Sequence, residues 1–150
     1  MDELDLMVSV GEGAMPPVDP ERVAAAVRHV LRAEGVDAAE ISVALVSDGE
    51  IAALNEQYLS HEGPTDVISF HLHDEGEPPL GDVYVGVEQA ARQAAGFGAA
   101  ADEEVLRLSV HGTLHVLGYE HPEGDDRAAS PMFARQEALL REFLSGGAGA

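Results

Sequence analysis

The sequence has no cysteine, and it has no lysine, so all eight of its basic residues are arginine. Without cysteine the chain can form neither a disulfide nor a thiolate–metal bond, and any metal site must use His, Asp or Glu. No apolar run approaches the length of a membrane span, and Met1 to Asp5 is acidic where a secretory signal would be basic. These absences predict a cytoplasmic protein.

Positive charge is scarce, because 8 basic residues stand against 28 acidic ones and the net charge is −20. Such a charge argues against a protein that binds nucleic acid over a wide surface. An anionic substrate would need a local basic patch. With 150 residues and 45% hydrophobic content, the chain can bury a core. We predict a single domain over residues 1–150, with 145–150 as a frayed tail.

Apolar periodicity and capping residues predict four strands and five helices. The strands are expected at 4–10, 41–46, 66–70 and 81–87, and the helices at 20–34, 47–58, 88–95, 102–117 and 131–144. This order predicts an α+β fold, a small mixed sheet of about four strands covered by about five helices. The helix that starts at its cap Asp102 carries an apolar stripe and is expected to be central and mostly buried.

Three of the seven histidines lie in the eleven residues 111–121, which read HGTLHVLGYEH. His111 and His115 are four residues apart, so they project from one face of a helix. Gly118 is suited to end that helix, and the reversed chain can bring His121 back toward the other two. We predict a zinc ion held by His111, His115 and His121, with one coordination position left to water. The alternative is that these are satisfied core or surface histidines.

Two other features could carry chemistry. His71 and His73 lie on one side of an extended chain and could bind a second metal beside acidic residues, although a solvated loop with incidental histidines is favoured. Thr65 and Asp66 precede a strand, where such residues commonly hydrogen-bond their own backbone. The alternative is that one of them faces the metal cleft.

The pattern H-x-x-x-H-x-x-G-x-x-H matches the zinc signature of metzincin proteases at all but one position. Those proteases need a glutamate directly after the first histidine as general base, and this chain has Gly112 there. Glycine has no side chain to accept a proton. A zinc peptidase is therefore the least favoured of the hydrolase interpretations.

The segment 111–121 resembles the H-G-x-L-H-L-x-G-Y-D-H signature of the YbeY family, the bacterial ribosomal-RNA maturation endoribonucleases. Three upstream segments follow the order and spacing of the same family: LNEQY at 54–58, PTDVISF at 64–70 and LGDV at 80–83. The resemblance covers roughly Ile41 to His121, which is most of the chain.

The resemblance implies a metalloprotein with one zinc ion per chain that cuts single-stranded ribosomal RNA. Members of the family process the 3′ end of small-subunit ribosomal RNA and act in ribosome quality control. The implied partners are this RNA and the small ribosomal subunit or its assembly factors, with no DNA and no membrane. In such a mechanism zinc activates water or stabilises the phosphorane oxygens. Glu120, Asp66 and Arg107 are the candidate catalytic residues, the two carboxylates as proton carriers or acceptors.

The chain departs from the family pattern at two positions. The family usually has an arginine for handling RNA directly after the tyrosine of L-N-x-x-Y, and this chain has Leu59 there. Arg107, one helical turn before His111, is a candidate replacement and Arg92 a weaker one, although Arg107 could equally be a solvated surface residue. Glu120 replaces the usual aspartate. Leu59 and the acidic charge also favour an alternative function, a non-catalytic zinc-containing ribosome-assembly factor.

Overall fold

A computed structural model describes residues 3–60, 62–119 and 130–146 of the chain. In chain order these residues form β1 (Glu3–Val10), α1 (Pro20–Ala33), β2 (Ala38–Val46), α2 (Asp48–Leu59), β3 (Val67–His71), β4 (Leu80–Gly86), α3 (Val87–Phe97), α4 (Ala101–Val116) and α5 (Pro131–Leu144). The predicted α+β fold with a four-stranded mixed sheet and five helices is confirmed. None of the helices in these ranges is both long and apolar enough to cross a membrane.

The sheet has the strand order β1-β2-β4-β3. The first three strands in this order run parallel, and β3 runs antiparallel to β4 at the edge. Alternate residues of β2 face opposite layers. Val43 belongs to the main core, which α1, α3, α4 and α5 cover, whereas Val46 joins a smaller cluster with Ile51 of α2 on the other face.

Three helices start where their capping residues predict. Asp19, Ser47 and Ser130 are the N-caps of α1, α2 and α5, and each side chain accepts a hydrogen bond from a backbone N–H two or three residues later. These bonds satisfy amide groups that the first turn of a helix leaves without a partner.

Two predicted helix boundaries are wrong. Helix α4 begins at Ala101, and Asp102 lies inside its first turn, where its carboxylate accepts from the amide of Glu103 at 2.8 Å. Helix α3 continues through Gly96 and ends at Gly98, whose φ is 68°. A positive φ favours glycine and is typical of the residue after a helix end. Gly98 has a positive φ and Gly96 does not, so α3 ends before Gly98.

Helix α4 is the central helix, as predicted, and it packs on α1, α3, α5 and the β3–β4 half of the sheet. Two glycines allow this helix to lie close against β4. A Cβ atom on Gly112 would stand 2.4 Å from a methyl group of Val83, and one on Gly81 would stand 2.6 Å from both methyl groups of Val116. The close approach fixes the position of α4, and with it the flank that carries His111.

Candidate active site

The two histidines of α4 lie on the wall of a large cavity. The ring centroids of His111 and His115 are 4.7 Å apart and their planes meet at 82°. The cavity has a volume of about 910 Å³ and is also lined by Asp66 and by Gln136 of α5. This volume falls in the range of roughly 300–1,000 Å³ that is typical of ligand clefts. The third predicted ligand, His121, and the candidate catalytic residue Glu120 lie outside the described residues.

Both histidines are held through the same ring nitrogen. Nδ1 of His111 is 2.7 Å from Oε1 of Gln136, and Nδ1 of His115 is 2.9 Å from the backbone oxygen of Tyr119. A carbonyl oxygen only accepts, so each Nδ1 carries the proton and donates it. A neutral imidazole in this tautomer has its lone pair on Nε2, the nitrogen with which it can coordinate a metal. The chemistry of this donor pair therefore fits zinc.

The turn after α4 supplies the acceptor for His115. Gly118 has a φ of 104°, its amide donates to the carbonyl of His115, and the amide of Tyr119 donates to the carbonyl of Leu114, both at 3.0 Å. These two bonds define a Schellman motif, which reverses the chain at the helix end. The predicted end of the helix at Gly118 is confirmed, and the reversal places the Tyr119 carbonyl against the ring of His115.

The ring of Tyr119 anchors this turn to two other helices. Its hydroxyl donates to Oε1 of Glu34, the C-cap residue of α1, at 2.5 Å. The other oxygen of Glu34 accepts from Nε of Arg135 in α5 at 2.7 Å. The hydrogen bond to Glu34 raises the pKa of Tyr119, so the phenol keeps its proton and remains a donor. The tyrosine of the motif therefore has a structural role.

Arg107 lines the cavity, but carboxylates surround its charge. Its Nε is 2.9 Å from Glu137, one terminal nitrogen is 2.7 Å from Glu104, and the other is 3.5 Å from Glu103. Burial would lower the pKa of Arg107, but hydrogen bonds to Glu137 and Glu104 outweigh it and raise the pKa. The residue is half-buried, so the interpretation of Arg107 as a solvated surface residue is wrong. Its role toward phosphate stays a prediction.

Arg92, the weaker candidate, is bonded elsewhere. One of its terminal nitrogens is 2.9 Å from Asp48 and 2.6 Å from Gln89, and it is not among the residues that line the cavity. The hydrogen bond to Asp48 is the main cause that raises the pKa of Arg92. Leu59, the last residue of α2, does line the cavity and is exposed.

Thr65 and Asp66 satisfy both of their predicted interpretations. Oδ1 of Asp66 accepts from the amide of Val67 at 2.8 Å and from the hydroxyl of Thr65 at 3.4 Å, so these residues do bond locally. Both also line the cavity that contains the two histidines. A half-buried carboxylate is thus present on the wall that β3 contributes.

His71 and His73 lie together at the end of β3, with ring centroids 3.9 Å apart. Nδ1 of His73 lies against the backbone of Leu80 on the neighbouring strand, 3.1 Å from its amide nitrogen and 3.2 Å from its carbonyl oxygen. Over residues 3–60, 62–119 and 130–146, no group of three or more His, Asp or Glu side chains is placed to hold a metal ion. A second metal at this pair therefore stays the less favoured alternative to incidental histidines.

Sequence reasoning missed Gln136 and Glu137 of α5. Gln136 bonds His111, and Glu137 accepts from both Gln136 and Arg107. Burial alone would raise the pKa of Glu137, but the hydrogen bond from Arg107 outweighs it and the pKa lies below its ordinary value. One sequence signal could have indicated Gln136: it is a polar residue in the stripe that α5 buries, Met132, Gln136, Leu139, Leu140 and Phe143.

The chain is similar over most of its length to a known protein family. The model of the family "Endoribonuclease YbeY" matches residues 14–144. The protein of that name from Geobacillus kaustophilus is 41% identical over 118 residues, which are 71% of this chain and 74% of the relative. The one from Pelotomaculum thermopropionicum is 42% identical over 124 residues, 77% of this chain and 80% of the relative.

A solved structure also matches over nearly the whole length. The solution structure of TM1509 from Thermotoga maritima superimposes with a TM-score of 0.64 at 25% identity, covering 98% of this chain and 95% of that one. The matched relatives carry the name of an endoribonuclease. This chain belongs to the YbeY endoribonuclease family. The family predicted from the four sequence segments is therefore confirmed.

Proposed function

We propose that this protein is a zinc-dependent, single-strand-specific endoribonuclease. Its proposed role is maturation of the 3′ end of small-subunit ribosomal RNA and ribosome quality control, in the cytoplasm and in contact with the small subunit or its assembly factors. One observation carries the proposal beyond family membership. His111 and His115 share a cavity of about 910 Å³ and both donate from Nδ1 to a carbonyl oxygen.

The proposed metal centre consists of His111, His115 and, from the sequence, His121. Zinc held there would supply a Lewis acid that polarises a phosphoryl oxygen and lowers the pKa of water. The chain's own contribution is orientation. Gln136 and the Tyr119 carbonyl hold the two rings through Nδ1. The rings are therefore already oriented before zinc binds.

We propose Asp66 as an acceptor for the proton of the attacking nucleophile. Its carboxylate lines the same cavity as His111 and His115, and its Oδ1 is already fixed by the amide of Val67. A positioned general base contributes about 10²–10⁴-fold to a rate. The amide oxygen of an asparagine can still accept from Val67, so Asp66→Asn removes the base and keeps the local structure.

We expect Asp66→Asn to lower kcat for RNA cleavage roughly 100-fold, with zinc content and thermal stability unchanged. Thr65→Val is the matched control, because it removes the hydroxyl that donates to Asp66 and leaves the carboxylate. Steady-state cleavage of a labelled single-stranded RNA by both variants measures the difference. A native kcat in Asp66→Asn would exclude this residue as the base.

A second prediction concerns Leu59, which occupies the position of the family arginine on the cavity wall. Leu59→Arg should lower KM for RNA and leave zinc content unchanged, because the added guanidinium can pair a phosphate. The slope of log KM against log salt should rise by about 0.7, the value for one added phosphate contact on a single strand.

Leu72→Arg is the matched control for Leu59→Arg, because Leu72 is also exposed but is not among the residues that line the cavity. It changes the net charge by the same amount at another place. Equal effects of the two variants on KM would mean that total charge, and not a contact at position 59, governs RNA binding.

A non-catalytic ribosome-assembly factor is the second candidate function. It is favoured by Leu59 and by the three glutamates around Arg107, since together they leave little positive charge on the described cavity wall. Such a factor would co-sediment with small-subunit particles and contain zinc, yet cut no RNA.

The structure disfavours a zinc peptidase. The metzincin base would occupy position 112, where a Cβ atom would stand 2.4 Å from a methyl group of Val83 in the sheet. A glutamate there would be directed into the core, away from the cavity. Chelator-sensitive cleavage of casein by the purified protein would nevertheless favour this function over the other two.

The experiment that tests the proposed function is cleavage of a precursor fragment of small-subunit ribosomal RNA by the purified, zinc-loaded protein. We expect cutting in single-stranded segments, loss of cutting with chelator, and recovery on addition of zinc. The same fragment annealed to its complement should resist. If the protein contains one zinc ion per chain and does not cut the fragment, the proposed endoribonuclease function is wrong and the assembly-factor function is favoured.

A further inference from the structure

A chain of hydrogen bonds leads from His111 through α5 to Arg107. Gln136 Oε1 contacts Nδ1 of His111 at 2.7 Å, and Gln136 Nε2 donates to Oε2 of Glu137 at 3.0 Å. The same carboxylate accepts two N–H groups of Arg107, at 2.9 and 3.2 Å, and a third N–H group of Arg107 is given to Glu104 at 2.7 Å. Two members of the chain are buried, Gln136 at 5% and Glu104 at 6% exposure, and Arg107 and Glu137 are partly buried.

The donor and acceptor chemistry allows one arrangement of this chain. Arg107 can only donate, so the Glu137 carboxylate that it holds is an acceptor. The amide of Gln136 must therefore turn its nitrogen to Glu137 and its oxygen to His111. That oxygen accepts, so Nδ1 of His111 must carry the proton.

From this geometry we infer that Gln136 is a positioning residue that sets the tautomer and ring orientation of His111 for metal binding, and that Glu137 and Arg107 fix the amide of Gln136. The inference rests on the metal centre of the proposed function. In this inference Arg107 holds the carboxylates of Glu137 and Glu104 in place and does not contact RNA phosphate.

The geometry separates this role from simple packing. A methionine at position 136 is apolar and similar in length, but it removes the acceptor for Nδ1 and the donor for Glu137. A glutamate at the same position also removes the donor for Glu137 and places a second carboxylate beside it, but it keeps an acceptor oxygen for Nδ1 of His111. Gln136→Met should therefore remove the Nδ1–H state of His111, and Gln136→Glu should keep it.

The matched control is Gln93→Met. Gln93 of α3 is half-buried and donates to Oε2 of Glu104 at 3.2 Å, so it joins the same group of glutamates without contacting a histidine. The chemical change in the control and in the test variant is the same. Only the test variant removes a bond to His111.

The experiment has two readouts that do not require RNA cleavage. Long-range ¹H–¹⁵N NMR of the metal-free protein reports which nitrogen of His111 is protonated, and competition with a chromophoric chelator reports affinity for Zn²⁺ alone. We expect Nδ1–H in the native protein and in Gln136→Glu, and a loss of this state in Gln136→Met. We expect zinc affinity to fall about 10–100-fold in Gln136→Met and less than about threefold in Gln93→Met.

Two results would overturn the inference. One is an unchanged tautomer of His111 and native zinc affinity in Gln136→Met. The other is loss of the Nδ1–H state in Gln136→Glu as well as in Gln136→Met, which would mean that an acceptor oxygen at position 136 does not set the tautomer of His111. A protein that binds zinc and shows the expected pattern but cuts no RNA would refute the endoribonuclease and leave this assignment intact.

Discussion

Replacing His115 by alanine should remove tight zinc binding and RNA cleavage together. His115 and His111 are the two described ligands of the proposed centre, and two imidazoles hold zinc far less well than three. Loss of a residue that only supports a ligand costs about 10–100-fold in metal affinity, so loss of a ligand should cost at least roughly 100-fold. Zinc content after dialysis and cleavage of the precursor RNA fragment measure the two effects.

His73→Ala is the control for His115→Ala, since it also removes one histidine. His73 bonds the backbone of Leu80 and is not among the residues that line the cavity. We expect native cleavage and the same zinc content in this variant as in the native protein, one ion per chain; an unchanged content would also mean that the His71–His73 pair holds no second zinc. Full zinc occupancy in His115→Ala would instead remove His115 from the ligand set.

Gly112→Ala should destabilise the protein although alanine is the better helix former. The added methyl group would stand 2.4 Å from a methyl group of Val83, which lies fully buried on the central strand β4. A β-branched neighbour cannot rotate away easily, and overpacking a core costs about 1–3 kcal/mol. This loss should exceed the gain in helix propensity of about 1 kcal/mol. A net loss of about 1 kcal/mol, the middle of the resulting range, would lower Tm by about 2–4 °C.

Gly96→Ala is the matched control, because Gly96 also lies inside a helix but has open space around the position of a Cβ atom. This variant should gain about 0.5–1 kcal/mol from backbone entropy. The double variant Gly112→Ala, Val83→Ala should be more stable than the sum of the two single changes predicts, since the smaller side chain at position 83 creates room for the new methyl group. Denaturant unfolding of the set gives the coupling energy. A Tm of Gly112→Ala above the native value would contradict the proposed close contact of α4 and β4.

Local signals allowed much of this fold to be predicted from the sequence. Asp19, Ser47 and Ser130 start helices because their side chains bond amides two or three residues away. Gly118 ends α4 because a positive φ favours glycine. The error at Gly96 arose because two glycines, Gly96 and Gly98, compete for the end of α3, and the choice depends on backbone geometry that the sequence pattern does not contain. The error at Asp102 has another cause: the N-cap of α4 is Ala100, which has no capping side chain to indicate it.

The candidate site was only partly predictable, for a reason of distance along the chain. The spacing of His111 and His115 was sufficient to place both on one helix face, because helical geometry is local. Gln136 lies 25 residues further on, and its contact with His111 exists only because α5 packs against α4. The same holds for Arg107, whose charge is matched by Glu137 of α5.

The sequence alone thus determined the family, the elements and the histidine pair, because each depends on residues close together in the chain. Tertiary structure decided what surrounds that pair. It gave Gly112 a packing role against Val83, turned Arg107 toward glutamates, and brought Gln136 to His111. These outcomes depend on which elements pack together, and packing is set by the shape and burial of whole helices and strands.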